Sequence, residues 1–192
     1  MTDPAEENLP LKTETVDSKT IFSGEKLTLR LDTLKIGDRP PATKEIIAHP
    51  GSTVMIPITE RGTVLLVKQW RAALGCYTLE LPSGTRDADE PPEMTAAREL
   101  REETGYRASN FTPIGGFVPV SGYSEEYCHG YVATDLEIDP LPQDKLEDIM
   151  VVETTVDDLR HMCMNGEIDD ALTIAAVTRA SAFLDDARRA DV

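Results

Sequence analysis

The sequence predicts an α/β sandwich preceded by a small antiparallel β arm. Three observations lead there. Lys26–Ile36 alternates between apolar Leu27, Leu29 and Leu31 and polar Thr28, Arg30 and Asp32, the two-residue period of a half-buried strand. Further on, apolar strand-like runs lie on both sides of one amphipathic helical stretch, from about Glu93 to Thr104. The chain then ends on two helical stretches, Thr155–Met164 and Ile168 to about Ala187, parted by Gly166. Strands around a central helix, with more helices behind, need helical layers to cover the sheet.

In order along the chain, residues 1–17 are polar, acidic and contain proline, the composition of a flexible tail. Lys19–Ser23 is predicted to pair with the Lys26–Ile36 strand through a turn at Ser23-Gly24-Glu25. Gly37 to Pro41 then turns the chain into a short strand, Lys44–Ala48. Together these make an N-terminal β arm over residues 18–50, with open edges and little core, which a second subunit would protect. Residues 51–192 form the main domain. There Thr53–Thr59 and Thr63–Trp70 are apolar strands around the turn at Glu60-Arg61-Gly62. Pro57 points the first of them toward a sheet edge or bulge, because proline has no N–H to give a ladder. Trp70 is expected in the core. Tyr77–Leu81, Phe111–Val118, Tyr127–Thr134 and Ile149–Glu153 are the remaining strands. Leu172, Ala175, Ala176, Arg179 and Phe183 follow a helical stripe, expected to be core or interface.

The 192 residues suffice for one domain with an arm and a real core. Acidic residues outnumber basic ones 35 to 19, a formal charge of −16 that opposes nucleic-acid and anionic-membrane binding. An anionic substrate would therefore need local cations. Cys76, Cys128 and Cys163 are widely spaced, with no Cys-x-x-Cys, and read as buried free thiols in a reducing compartment. The first residues lack the basic start and apolar core of a signal peptide, and no apolar run approaches membrane-spanning length. A cytoplasmic protein is expected.

The Glu93–Thr104 stretch has Pro91 and Pro92 near its start and Gly105 just beyond its end, the usual helix punctuation. At ~100° per residue Glu99, Glu102 and Glu103 fall on neighbouring faces, with Glu99 and Glu103 one turn apart. Such a cluster is either a solvated acidic face or a set of hard oxygen ligands suited to Mg²⁺ or Mn²⁺. The longer pattern separates the two. Gly84, five residues, Glu90, seven residues, Arg98-Glu99-Leu100, one residue, Glu102-Glu103, one residue, Gly105 and then Tyr106 resembles the signature of the Nudix hydrolase family. Every fixed position matches, with Tyr106 where an aliphatic residue is more usual.

The resemblance implies a Nudix-type α/β/α sandwich with a mixed sheet, and the signature as a loop-helix-loop at one sheet edge. Lys44 to Gly51, Val64 to Arg71, Glu80 to Gly84 and Gly166 to Ile174 further resemble the ADP-ribose pyrophosphatase branch, so the likeness spans roughly residues 19–185. That branch implies a homodimer with crossing N-terminal strands and Mg²⁺-dependent cleavage of ADP-ribose or a related nucleoside diphosphate sugar to a nucleoside monophosphate and a sugar phosphate. It implies Glu99, Glu103, Glu102 and the Ser83 carbonyl as metal ligands, and Arg98 as the group that orients the glutamates with Glu90 as its partner. A general base is expected in Leu141–Asp148, with Glu147 the best positional match and Asp144 and Asp148 in competition. Arg71 is expected at phosphate or ribose, Glu126 at ribose hydroxyls or metal, and Phe22 against the base, with a core role as its alternative. Ser121 stands where the branch carries a proline that marks ADP-ribose preference, which leaves the nucleoside and sugar open. Two other readings compete: a Nudix hydrolase of nucleoside triphosphates or dinucleoside polyphosphates, and a Nudix-fold ligand sensor that binds without cleaving.

Overall fold

A computed structural model describes residues 11–24, 27–143 and 147–190. The chain divides into two compact units, Met1–His49 with Val120–Glu125, and Pro50–Pro119 with Glu126–Val192.

In the first unit β1 (Thr13–Ser23), β2 (Thr28–Ile36) and β3 (Ala42–Ala48) form an antiparallel sheet in that order. β1 begins at Thr13, so it takes in residues that composition alone assigns to a tail. Leu29 and Leu31 are half-buried, as the alternation predicts, but the most buried residue of β2 lies on its other face. Leu27 is 42% exposed, whereas Asp32 is 6% exposed. The Asp32 carboxylate accepts bonds from Ser18 Oγ at 2.6 Å and Arg30 Nε at 2.9 Å, and a satisfied polar group can take a buried place. Residues 120–125 join this sheet: Ile47 N–H donates to Tyr123 O at 2.7 Å and Glu125 N–H to Ile47 O at 3.0 Å.

The second unit contains two sheets. β4 (Ser52–Pro57), β7 (Ser83–Thr85), β8 (Tyr106–Phe117) and β9 (Cys128–Ile138) form a mixed sheet in the order β7-β4-β9-β8, with β4 parallel to β9 and the other pairs antiparallel. β5 (Val64–Arg71), β6 (Cys76–Glu80) and β10 (Ile149–Thr154) form an antiparallel sheet in the order β10-β5-β6. The helices are α1 (Pro92–Thr104), α2 (Val156–Asn165), α3 (Ala171–Arg179) and α4 (Ser181–Ala190).

β4 is covered on both faces, which is why it reads as an unbroken apolar run. Successive side chains alternate. Val54 and Ile56 join Leu66, Val132, Leu159, Val177 and Leu184 in the core under α2, α3 and α4. Met55 joins Ala96, Leu100, Tyr131 and Ala133 in a second core under α1. The mixed sheet is thus a layer between helices.

Some expectations fail for local reasons. Pro57 does not mark an edge strand: β4 lies inside its sheet. β7 pairs only with Ser52–Val54, so the proline falls where that side of β4 has no ladder to supply. The final helical stretch is two helices, broken at Ala180, whose ψ is 12°. The buried stripe keeps one helical phase across the break and is offset from the expected one already in α3. Thr173, Ala176, Val177, Ala180 and Leu184 are buried, while Arg179 and Phe183 face solvent. Of the three cysteines, Cys128 is buried, Cys163 is half-buried and Cys76, at the open start of β6, is exposed. Among the described residues no helix is long and apolar enough to cross a membrane.

Candidate active site

The site is built on α1. Pro92 starts the helix, where its missing N–H costs nothing, and Gly105 ends it at φ 78°, a left-handed conformation that glycine tolerates, with its N–H donating to Arg101 O at 3.1 Å. The apolar side of α1, Ala96 and Leu100, is fully buried against the mixed sheet. That fixes the rotation of the helix and turns Arg98, Glu99, Glu102 and Glu103 toward the β7 side.

Arg98 is the hub. It donates to Glu90 at 2.9 and 3.2 Å, to Glu99 at 2.7 Å, to Glu102 at 3.2 Å and to Thr85 O at 3.3 Å. Glu90 also accepts from Thr95 Oγ1 at 2.7 Å and from Asp87 N–H at 3.3 Å. The bonds from Arg98 first, then those from Thr95 and Asp87, outweigh its partial burial and hold its carboxyl down to about 2. Glu90 is therefore a permanent anion that secures the arginine.

Glu103 and Glu99 are the opposite case. Glu103 is 2% exposed and accepts the Ser83 N–H at 2.8 Å. Burial, with the negative charges of Glu99 and Glu147 added, pushes its carboxyl well above the usual range. Glu99 is pushed up to about 7, by burial first and then by Glu102 and Glu147, against the pull of Arg98. Gly84 leaves room for this arrangement, since a Cβ there would overlap the Glu99 carboxylate. Ionising both buried Glu103 and the mostly covered Glu99 would place more negative charge there than Arg98 offsets, which is why both carboxyls are driven up. Among the described residues no three acidic, histidine or cysteine side chains stand in ion-holding geometry, and Glu99 and Glu102 are turned to Arg98. In chemistry, hard oxygens carrying surplus charge, the donor set fits a divalent cation.

The opposite wall is the inner face of β5 and β6. Arg71 Nε donates to Glu80 at 2.9 Å, a second bond joins Arg71 Nη2 to the other oxygen, and Thr78 also donates to Glu80. Glu80 is 5% exposed; burial pushes its carboxyl up, and the bonds from Arg71 and Thr78 more than reverse this. Arg71 also feels the charge of Glu103. Glu103 thus lies within electrostatic reach of Glu99, Glu147 and Arg71, and Glu99 within reach of Glu147. Glu80 is missed by sequence reasoning as the partner of Arg71. A signal exists, because the two belong to neighbouring strands of a short hairpin, yet it can be read only once the register is known.

A NUDIX domain model matches residues 49–176. The chain is a member of the Nudix family. It is 32% identical to the ADP-ribose pyrophosphatase of Bacillus subtilis (strain 168) over 169 residues, 87% of this chain and 91% of that protein. It is also 32% identical to the ADP-ribose pyrophosphatase of Mycobacterium tuberculosis (strain ATCC 25618 / H37Rv) over 167 residues, 85% of this chain and 81% of that one. The crystal structure of an ADP compounds hydrolase superposes with a TM-score of 0.81 at 18% identity, covering 96% of this chain and all of that one, a likeness of fold.

The remaining predicted residues of this Nudix chain are placed as follows. Glu126 accepts a bond from Ser52 Oγ at 2.7 Å and its charge bears on buried Cys128. Phe22 lies on β1 at 57% exposure. Trp70 is 45% exposed and meets Tyr77 edge-on, 5.2 Å between ring centres, so it is not a core residue. Val64 and Leu66 on the same strand face are buried, but the cover from α2–α4 ends before Trp70. Asp148 accepts from the Tyr77 hydroxyl. Asp144 falls outside the described residues.

Proposed function

We propose that this chain hydrolyses the diphosphate bond of ADP-ribose or a related nucleoside diphosphate sugar, releasing a nucleoside monophosphate and a sugar phosphate, with Mg²⁺ as cofactor and Mn²⁺ as an able substitute. The observation that carries the reading is the crowding of Glu99, Glu102 and buried Glu103 on one helix, with Arg98 bonded to the first two and all of them inside an intact signature. The names of the two relatives supply the substrate class.

Glu99 and Glu103 hold the cation, with Glu102 directly or through water and the Ser83 carbonyl completing the set. Bound there, a divalent cation neutralises the diphosphate and makes water more acidic. Arg98, itself held by Glu90, orients Glu99 and Glu102. Glu147 takes the proton as the water oxygen bonds to one phosphorus and the bridging P–O bond breaks. Arg71, steadied by Glu80, meets phosphate or ribose, and Glu126 meets ribose hydroxyls. Phe22 stacks on the base, with β1 crossing between the subunits of a homodimer in the cytoplasm.

The test is turnover in isotopically labelled water, with Mg²⁺, on ADP-ribose, ADP-glucose, GDP-mannose and UDP-glucose. Fastest release of AMP from ADP-ribose is expected, with the label on one product. Turnover of nucleoside triphosphates alone, or binding of every compound without cleavage, would overturn the reading.

A further inference from the structure

Glu147 reaches the site from just before β10, and its direction depends on its neighbour. Ile149 pairs with Gln69 across β10 and β5, and the Trp70 N–H donates to Asp148 O at 3.1 Å. Asp148 therefore lies opposite Trp70, and Trp70 lies opposite Tyr77 on β6. The three occupy one row across the sheet. Their side chains share the outer face, where the Tyr77 hydroxyl donates to the Asp148 carboxylate and the Tyr77 ring is braced by Trp70 and by Lys68, whose Nζ is 5.8 Å from the ring centre. The next row holds Arg71, on the inner face with buried Gln69 and Val67. Consecutive strand residues point to opposite faces. With Asp148 tied outward, Glu147 is turned inward, where its charge bears on Glu99 and Glu103. A slip of one residue would reverse both.

We propose that Tyr77 is a positioning residue: its bond to Asp148 locks the register in which β10 begins and so aims Glu147 at the glutamates of α1. The catalytic half of this inference rests on the reading of Glu147 as the base; the lock itself does not. Tyr77 never touches the reacting atoms. Its hydroxyl works from the far side of the sheet, and what it controls is direction.

The experiment uses the full chain with Mg²⁺ and ADP-ribose. Tyr77→Phe removes one hydroxyl and leaves the ring, so the fold is kept. Its kcat is expected to fall roughly 10- to 100-fold, the effect of a small misplacement of a reacting group, with KM and Mg²⁺ affinity within about twofold. Asp148→Ala should behave likewise, while Asp148→Asn, whose amide oxygen still accepts, should keep most of the rate. Exchange of the Trp70 amide proton should quicken in Tyr77→Phe and Asp148→Ala but not in Asp148→Asn. Wild-type exchange in Tyr77→Phe would overturn the lock, and quickened exchange with wild-type kcat would overturn its catalytic role. Glu147→Gln separates the two layers: if that variant turns over at full rate the base assignment falls with the catalytic half, and the Trp70 amide still decides the lock.

Discussion

Two arginines each gather carboxylates in this molecule, and the difference between them shows what makes one a site. Arg30, in the N-terminal unit, bonds Asp32 and Glu125, and both carboxyls are held below their usual range. Arg98 bonds Glu90, Glu99 and Glu102, and beside it Glu99 and Glu103 are driven upward. Residue types and bond lengths are alike. The difference is surplus. Around Arg98, burial removes the water that would share the charge, and one guanidinium faces more carboxylates than it can satisfy. Such a cluster is poised for a second cation, whereas the balanced one is a structural joint.

The largest effect should come from removing the surplus. Glu103→Gln keeps the shape and the acceptor for the Ser83 N–H but deletes the most buried carboxyl. Hydrolysis should fall by at least about 100-fold, since even residues that only orient a ligand cost 10–100-fold. The metal-free fold should gain stability at neutral pH, because burial favours a protonated Glu103 in the folded chain whereas the unfolded chain would ionise it, and glutamine has no such cost. Steady-state kinetics with thermal unfolding checks both, and a variant that is fast or unfolded breaks the contrast between the two clusters.

Next in size is the hub. Arg98→Gln leaves Glu90, Glu99 and Glu102 without their common donor, and Mg²⁺ affinity by calorimetry should fall by roughly 10- to 100-fold. The equivalent change at Arg30 should leave Mg²⁺ affinity unmoved. Equal losses in the two variants would mean that the charge balance does not distinguish them.

A pH series sharpens the contrast within the Arg98 cluster itself. In the metal-free chain Glu99, pushed up to about 7, holds its proton more tightly folded than unfolded, so its contribution to stability falls as pH rises from about 4.5 through 7. Glu90, held at about 2, has the opposite sign: its stabilisation is present above about 4.5 and is lost as pH falls toward 2. Denaturant midpoints should therefore pass through a maximum near pH 4.5 from this pair. In Glu99→Gln the fall above that pH should shrink, and in Glu90→Gln the fall below it should shrink.

How much of this was legible in the sequence follows the range of each interaction. α1 could be read residue by residue, because proline, glycine and the helical period act within one or two turns, and the spacing of Glu99, Glu102 and Glu103 already implied neighbouring faces, while the pairing of Arg98 with Glu90 came from the family resemblance. Strands β4, β5, β6 and β10 were legible almost to the residue for the same reason, whereas β8 starts at Tyr106 ahead of the expected Phe111, β9 runs on past Thr134 to Ile138, and the short β7 was not read as a strand. What failed depended on partners distant in sequence. Glu80 meets Arg71 only through the β5–β6 register, Trp70 is exposed because the helical cover stops short of it, and Pro57 is interior because β7 is short. The break at Ala180 carries no glycine or proline to announce it, and Ala176, Ala180 and Leu184 stay one turn apart across it, all in the core.

The smallest expected effect lies at the balanced cluster. Glu125 has a side chain 47% exposed, and its pair with Arg30 spends much of its Coulomb energy against solvent. Asp32, with a side chain 8% exposed and bonded by Ser18 as well, holds Arg30 whether or not Glu125 is there. Glu125→Gln should therefore cost less than about 1 kcal/mol in denaturant unfolding. Asp32→Asn should cost more, because it leaves the Arg30 Nε and the Ser18 hydroxyl facing a neutral group in a buried place. A double-mutant cycle of Glu125→Gln with Arg30→Gln isolates the pair. A coupling well above 1 kcal/mol would show that this joint is also short of compensation, and the distinction from the Arg98 cluster would have to rest on burial alone.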